Sequence, residues 1–134
     1  MATCPGAVRR TMTAPAIRLA RIYDEPRAED GMRILVDRLW PRGVRKDAAQ
    51  IDAWLPEVAP SKDLRTWFNH AEERFAEFAR RYREELRDNP EFAALVQLIR
   101  AEDAAVVTLV FAARDRRHNQ AVVLADELRT ALAR

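Results

Sequence analysis

The run from Ala104 to Ala112 (AAVVTLVFA) limits the possible folds more than any other segment of the chain. It is rich in β-branched residues and far too short to span a bilayer, which takes about 18 or more apolar residues. Positions of both parities are apolar. A strand with one wet face alternates polar and apolar residues, whereas one that is apolar on both faces must be covered on both. The run therefore predicts a central strand of a parallel sheet sandwiched between helices. Parallel strands need long crossovers, and the rest of the chain must supply them.

Two other segments have strand character. Ile17 to Tyr23 alternates apolar and polar residues until Asp24-Glu25-Pro26 ends it, and Asp30-Gly31 marks a turn. Arg33-Ile34-Leu35-Val36-Asp37 is short, β-branched and apolar enough to be internal; it leads into the loop Arg38-Leu39-Trp40-Pro41-Arg42-Gly43. Asp47 to Leu55 suits a short helix broken by Pro56 and Pro60, and Ser61 suits an N-cap for a turn carrying Leu64, Trp67 and Phe68. Between Ala71 and Asp88, Phe75, Phe78, Ala79, Tyr82 and Leu86 form one stripe, with glutamates early and arginines late, as a helix prefers. Asn89-Pro90 stops that helix and starts the next, and a last helix carries Ala121, Leu124, Ala125, Leu128 and Leu132. The expected architecture is a small three-layer, Rossmann-like α/β domain over residues 16–134, with a short, mostly parallel sheet flanked by helices. Residues 1–15 have no periodicity and read as a disordered tail, within which Met12 is an alternative start to Met1.

Composition removes several function classes. With 134 residues there is room for one domain, and with 3 glycines neither a phosphate-binding Walker loop nor a GxGxxG dinucleotide fingerprint can be written. A single cysteine, Cys4, excludes an internal disulfide or a thiolate metal site, and no signal-peptide core is present, so a cytoplasmic protein without a cofactor is expected. The net charge of +2 gives no general attraction to nucleic acid; a local cluster would have to supply it. Of 23 basic residues only Lys46 and Lys62 are lysines, which fits either GC-rich coding or the planar recognition of phosphate and carboxylate at which arginine excels.

Ligands of open parallel sheets bind beyond the carboxyl ends of the strands. The segments leaving strand ends here carry Tyr23, Asp37, Arg38, Trp40, Arg42, Arg114, Asp115, His118 and Asn119. Arg38, Arg42 and Arg114 suit an anion clamp and Trp40 a stacking face, while the helix start at His118 and Asn119 adds backbone donors. Asp37, Asp115 and His118 are the catalytic candidates. Each has a structural alternative: Asp37 as a loop cap or a partner of Arg38 or Arg114, Trp40 as a lid on the core, His118 as a hydrogen-bonded support. Trp54 and Trp67 read as core and His70 as a helix-start residue. His70 and His118 lack any zinc spacing, and a magnesium site from Asp24, Asp37 and Asp115 has no positive support.

The segment Leu35-Val36-Asp37-Arg38-Leu39-Trp40-Pro41-Arg42-Gly43, with Val58 to Ser61, Leu64 to Phe68, Phe78 to Tyr82 and Ala112-Ala113-Arg114-Asp115 ahead of His118-Asn119, resembles the YeaO-like branch of the domain-of-unknown-function 488 family. The resemblance covers about residues 17–130 and implies a compact bacterial α/β domain with no established activity. Other members of the wider family carry a Cys-and-Glu segment after the last strand and a Cys-His-Arg before the final helix, and have been suggested to act on nucleosides or nucleic acids. Phe111-Ala112-Ala113 and Arg117-His118-Asn119 stand in those places here, so the histidine is kept while both cysteines and the glutamate are replaced. Glycosyl chemistry needs a carboxylate, and Asp115 is the nearest substitute. The leading expectation is thus a binding or catalytically degenerate domain for a nucleotide, nucleoside or nucleic-acid end. The alternatives are an enzyme acting at a glycosidic carbon through Asp37 or Asp115 with His118, and an interaction module presenting the Arg-rich helix Arg74 to Arg87.

Overall fold

In a computed structural model of the protein, residues 14–134 are described; the expected tail, including Cys4 and Met12, lies outside them except for Ala14 and Pro15. The strands are β1 (Ala16–Arg21), β2 (Met32–Leu35), β3 (Ala53–Trp54) and β4 (Val106–Phe111). The helices are α1 (Lys46–Ala49), α2 (Lys62–Phe68), α3 (Phe75–Asp88), α4 (Pro90–Glu102) and α5 (Gln120–Leu132). The strands form one all-parallel sheet in the order β1-β4-β2-β3, which puts the apolar run in the interior as its two-faced pattern requires.

Side chains of a strand alternate between faces, and the two faces of this sheet are covered unequally. Val107, Leu109 and Phe111 of β4 join Ile34, Val36 and Ile17 in the large core under α2, α3, α4 and α5. On the other side, Leu35 and Val110 meet Ile22 and Ala49, with Trp40, Val44 and Ile51 closing over them. The second layer of cover is therefore the loop around Trp40 and the four-residue helix α1, where two full helical layers were expected.

Local chemistry sets the helix ends. Ser61 Oγ accepts from Leu64 N at 3.2 Å to cap α2, and the Glu85 carboxylate in turn holds Ser61 through its N–H and its hydroxyl. Asn89 caps α4 by accepting from Glu91 N, with Pro90 at the first helical position. The predicted stripe of α3 is buried at Phe78, Ala79, Tyr82 and Leu86, and the buried Tyr82 hydroxyl donates to Val58 O. Along its outer face Arg80 and Arg81 pair with Glu77 and Glu84, and Arg83 reaches Asp126 and Glu127 of α5. Pairing within the domain thus accounts for the mixed charge of that helix.

One predicted element splits. The segment 47–55 is not a single helix: α1 ends at Ala49, Gln50 turns left-handed at φ 52°, and Ala53–Trp54 joins the sheet beside β2. The cause is Arg33, a buried residue of β2, whose guanidinium donates to Ala49 O and Gln50 O and ion-pairs with buried Asp30 at 2.7 Å. Asp52 completes the join, exchanging hydrogen bonds with the Arg33 backbone N–H and C=O. No helix among the described residues is long and apolar enough to cross a membrane.

The turn at Asp30-Gly31 is as predicted and leaves no room for a side chain. Gly31 has φ 64°, and a Cβ there would lie 2.2 Å from Val106 O. Gly31→Ala combines a backbone conformation costly for L-residues with a clash against unyielding backbone. It is expected to cost about 3 kcal/mol or more in urea unfolding, and a loss under about 1 kcal/mol would show that the turn can move aside.

Candidate functional site

Because β1, β4 and β2 are parallel neighbours, the segments that follow them emerge at one edge of the sheet. An open cleft of about 740 Å³ lies there. Phe68, Phe78 and Ala112 contribute an apolar floor, and Asp37, Arg38, Arg65, His70, Arg114, Asp115, Asn119 and Gln120 contribute polar groups.

Asp37 occupies the junction of three elements. Its Oδ2 accepts from Ala112 N just past β4 at 3.0 Å, and its Oδ1 accepts from Gln120 Nε2 at the start of α5 at 2.5 Å. Burial pushes this carboxyl above its ordinary range; the two hydrogen bonds and the nearby Arg65 and His70 side chains pull it back in part. Neither Arg38 nor Arg114 is its hydrogen-bonding partner, so the expectation that Asp37 orients an arginine gives way to a role joining strand and helix.

Arg38 turns away toward the segment before α2. It donates to Ala59 O and Pro60 O at 3.3 and 3.2 Å and reaches Glu57 at 3.4 Å, while its Nε is buried with no partner. Arg65, one turn into α2, donates from Nε to Pro60 O. Arg114 is exposed on the rim, with no carboxylate partner among the described residues. Asn69 and His70 end α2 in left-handed conformations, φ 47° and 56°, and this reversal brings His70 to the cleft wall.

The loop after β4 is held from within. Asp115 Oδ1 accepts from Arg117 N and His118 N, and its Oδ2 lies 2.9 Å from His118 Nδ1; these bonds keep its carboxyl below the usual range. Buried Asn119 donates to Asp115 O and accepts from Val122 N, capping α5. Arg116 makes a two-pronged pair with Asp24 at 2.8 and 2.9 Å, tying this loop to the exit of β1 and holding the Asp24 carboxyl at about 2.

Three predicted residues stand apart from the cleft. Tyr23 is exposed under the Arg21 guanidinium. Trp40 donates its indole N–H to Val44 O at 2.8 Å and packs edge-on against Trp54 on the thin face, the lid role weighed for it from sequence. Arg42 is exposed in the turn before Gly43. His118 lies beside the cleft at the Asp115 end, its ring edge-on to Phe75 at 5.2 Å. The trio Asp24, Asp37 and Asp115 does not gather: the first is paired with Arg116 and the second, half-buried, is bonded to Ala112 and Gln120. Sequence reasoning missed Arg65, His70 and Gln120. Gln120 had a usable signal, since it opens the helix that follows the central strand.

Removing the charge at Asp37 tests this geometry. A carboxyl whose folded pKa is raised binds its proton more tightly when folded, so the charged form lowers stability as pH rises above the ordinary value of 3.8. An Asn at 37 can keep both contacts, because its amide and that of Gln120 can exchange donor and acceptor roles. Asp37→Asn is expected to be at least as stable as the parent at pH 7, by up to about 1 kcal/mol, with the gain fading toward pH 4 in thermal melts. A clear loss at pH 7 would mean that the negative charge itself holds the junction.

Comparison with known proteins fits this picture. Residues 16–134 match the family described as the inactive DUF488-N3 subclade. The uncharacterized protein Rv3073c of Mycobacterium tuberculosis is 48% identical over 112 residues, covering 84% of this chain and 92% of its own. The uncharacterized protein YeaO of Escherichia coli is 38% identical over 114 residues, 85% of this chain and 97% of its own. No solved structure matches. The chain belongs to the DUF488 family, within the subclade described as inactive DUF488-N3.

Proposed function

We propose that this protein is a non-catalytic binding domain whose cleft takes a small phosphate-bearing ligand, a nucleotide or a phosphorylated nucleoside. The observation that carries the reading is the pairing of an apolar, aromatic floor at Phe68 and Phe78 with two guanidiniums, Arg65 and Arg114, around the same opening. Arg65 uses one donor on Pro60 O and keeps the others, and Arg114 has no carboxylate partner among the described residues. A guanidinium without a carboxylate partner at Arg114 and one with spare donors at Arg65, near but not paired with Asp37, suit a phosphate attached to a flat apolar body when they stand beside an apolar wall.

A glycosidic mechanism finds less support. It needs a carboxylate free to meet a sugar carbon or its water. Both candidates have structural work: Asp37 joins Ala112 to Gln120, and Asp115 shapes its own loop and holds His118. The description of the subclade as inactive agrees with this assignment.

A thermal-shift series with mononucleotides, nucleosides and inorganic phosphate tests the reading. A ligand at 100 times its Kd adds about 2.7 kcal/mol of stability, a shift of several degrees for a domain of this size. The expected result is a shift with mononucleotides that weakens at least tenfold in Arg114→Ala and in Arg65→Ala, each removing a charge-assisted contact worth about 1.5–3 kcal/mol. Equal response in both variants, or none to any phosphate compound, would overturn the assignment.

A further inference from the structure

Beside the cleft, the imidazole of His118 faces two carboxylates from different parts of the fold. Asp115 belongs to the same loop, and Glu72 comes from the single turn of 3-10 helix (Glu72–Arg74) that precedes α3. His118 Nδ1 lies 2.9 Å from Asp115 Oδ2 and 3.9 Å from Glu72 Oε1, and the three ligand atoms all lie within 4.8 Å of one another. Among the described residues no lysine or arginine pairs with either carboxylate; His118 is the one basic group that both approach.

That arrangement leaves a specific deficit. Nδ1 carries at most one proton, and Asp115 at 2.9 Å is placed to share it, while Glu72 at 3.9 Å is beyond a hydrogen bond. Two carboxylates thus converge on a locus where one proton serves one of them. Asp115 divides its oxygens: Oδ1 takes two backbone N–H groups, and Oδ2 is turned toward the imidazole. Phe75 packs edge-on against the His118 ring.

We propose that Glu72, Asp115 and His118 form a divalent-cation site, for an ion of the Mn²⁺, Fe²⁺ or Zn²⁺ class, at the rim of the cleft. Imidazole favours transition metals over Mg²⁺ or Ca²⁺, and two carboxylates supply charge to balance a dication. With metal–ligand distances of about 2.0–2.2 Å, neighbouring ligand atoms of a six-coordinate ion stand about 3 Å apart, close to the 2.9 Å between Nδ1 and Oδ2. The 3.9 Å gap to Glu72 closes by a rotamer adjustment of an exposed side chain. Three protein ligands leave the remaining positions to water or to an oxygen donor entering from the cleft, which Asp115 also lines. The cation site stands independently of the nucleotide reading and is tested without any nucleotide.

The test uses the untagged full chain stripped by a chelator and dialysed, titrated with Mn²⁺ and read by calorimetry and by the electron-spin signal of the free ion. Mn²⁺ is chosen because it avoids thiols and so avoids Cys4. One ion per chain is expected, weakened at least about tenfold in Glu72→Gln and further in His118→Ala, since even groups that only support a metal's ligands carry effects of about 10–100-fold. Glu72 is exposed, so its variant keeps the fold whatever happens to the other, and circular dichroism checks both. Absence of Mn²⁺ uptake, or uptake unchanged in Glu72→Gln, would overturn the site. A failure here with a nucleotide shift intact would leave the cleft assignment standing, and the reverse result would leave the cation site standing.

Discussion

Asp37 is the point at which strand, loop and helix are made one structure. A parallel strand runs out of partners where its neighbour ends, and the first amide beyond β4 has to find an acceptor elsewhere. Ala112 finds it in Asp37, and the other oxygen of that carboxylate fixes Gln120 at the start of α5. Burying a carboxylate is unfavourable unless donors surround it. The fold accepts that cost at the place where three connections must keep a constant spacing, and the cleft is the space those connections leave between them.

The unequal cover of the sheet follows from chain economy. Nearly all regular helix lies on one face, where Tyr82, Phe78 and Leu124 fill the core. The other face is closed by Trp40, Val44 and Ile51 over Leu35 and Val110, with Trp54 at the edge. This explains why Trp40, in a segment without helix, is a packing residue; Trp54, expected as core, stands exposed on the short edge strand β3 and meets Trp40 only edge-on. On a face that no long helix shields, large rings in loops are the cheapest way to exclude water.

Much of this architecture can be read from the amino-acid sequence, and the parts that cannot share a physical reason. The run at β4, the stripe of α3, the caps at Ser61 and Asn89 and the turn at Gly31 are local patterns, and each element forms where its pattern lies. Strand β3 has two residues, and its strand character comes from pairing with β2, which nothing within Ala53-Trp54 encodes. Arg65 and His70 look like ordinary helix residues. Arg65 reaches the cleft from within α2, and His70 does so because the chain reverses through two left-handed residues after that helix, a geometry that the string Asn69-His70 permits without demanding. Asp37, Arg114, Asp115 and Asn119 were visible as site candidates because they follow strand ends, whereas their hydrogen-bonding partners depend on how the segments meet. Arg38 shows the difference: its position by the cleft was predictable, its attachment to Ala59 and Pro60 was not.

The buried pair of Arg33 and Asp30 bears on how this sequence can change over generations. Arg33 ends α1, braces β3 and neutralises Asp30, and Asp30 in turn holds Thr108 of the central strand through its carbonyl. Losing either partner alone strands a charge in the interior at about 3–5 kcal/mol, a large share of a small domain's stability, while replacing both by well-packed apolar residues can be neutral. The two positions are therefore separated from their apolar equivalents by an intermediate of low fitness. Lineages that carry this pair will tend to keep it, and divergence on the thin face will concentrate at exposed positions such as Arg42, while Gly43 beside it is held by its left-handed backbone at φ 75°.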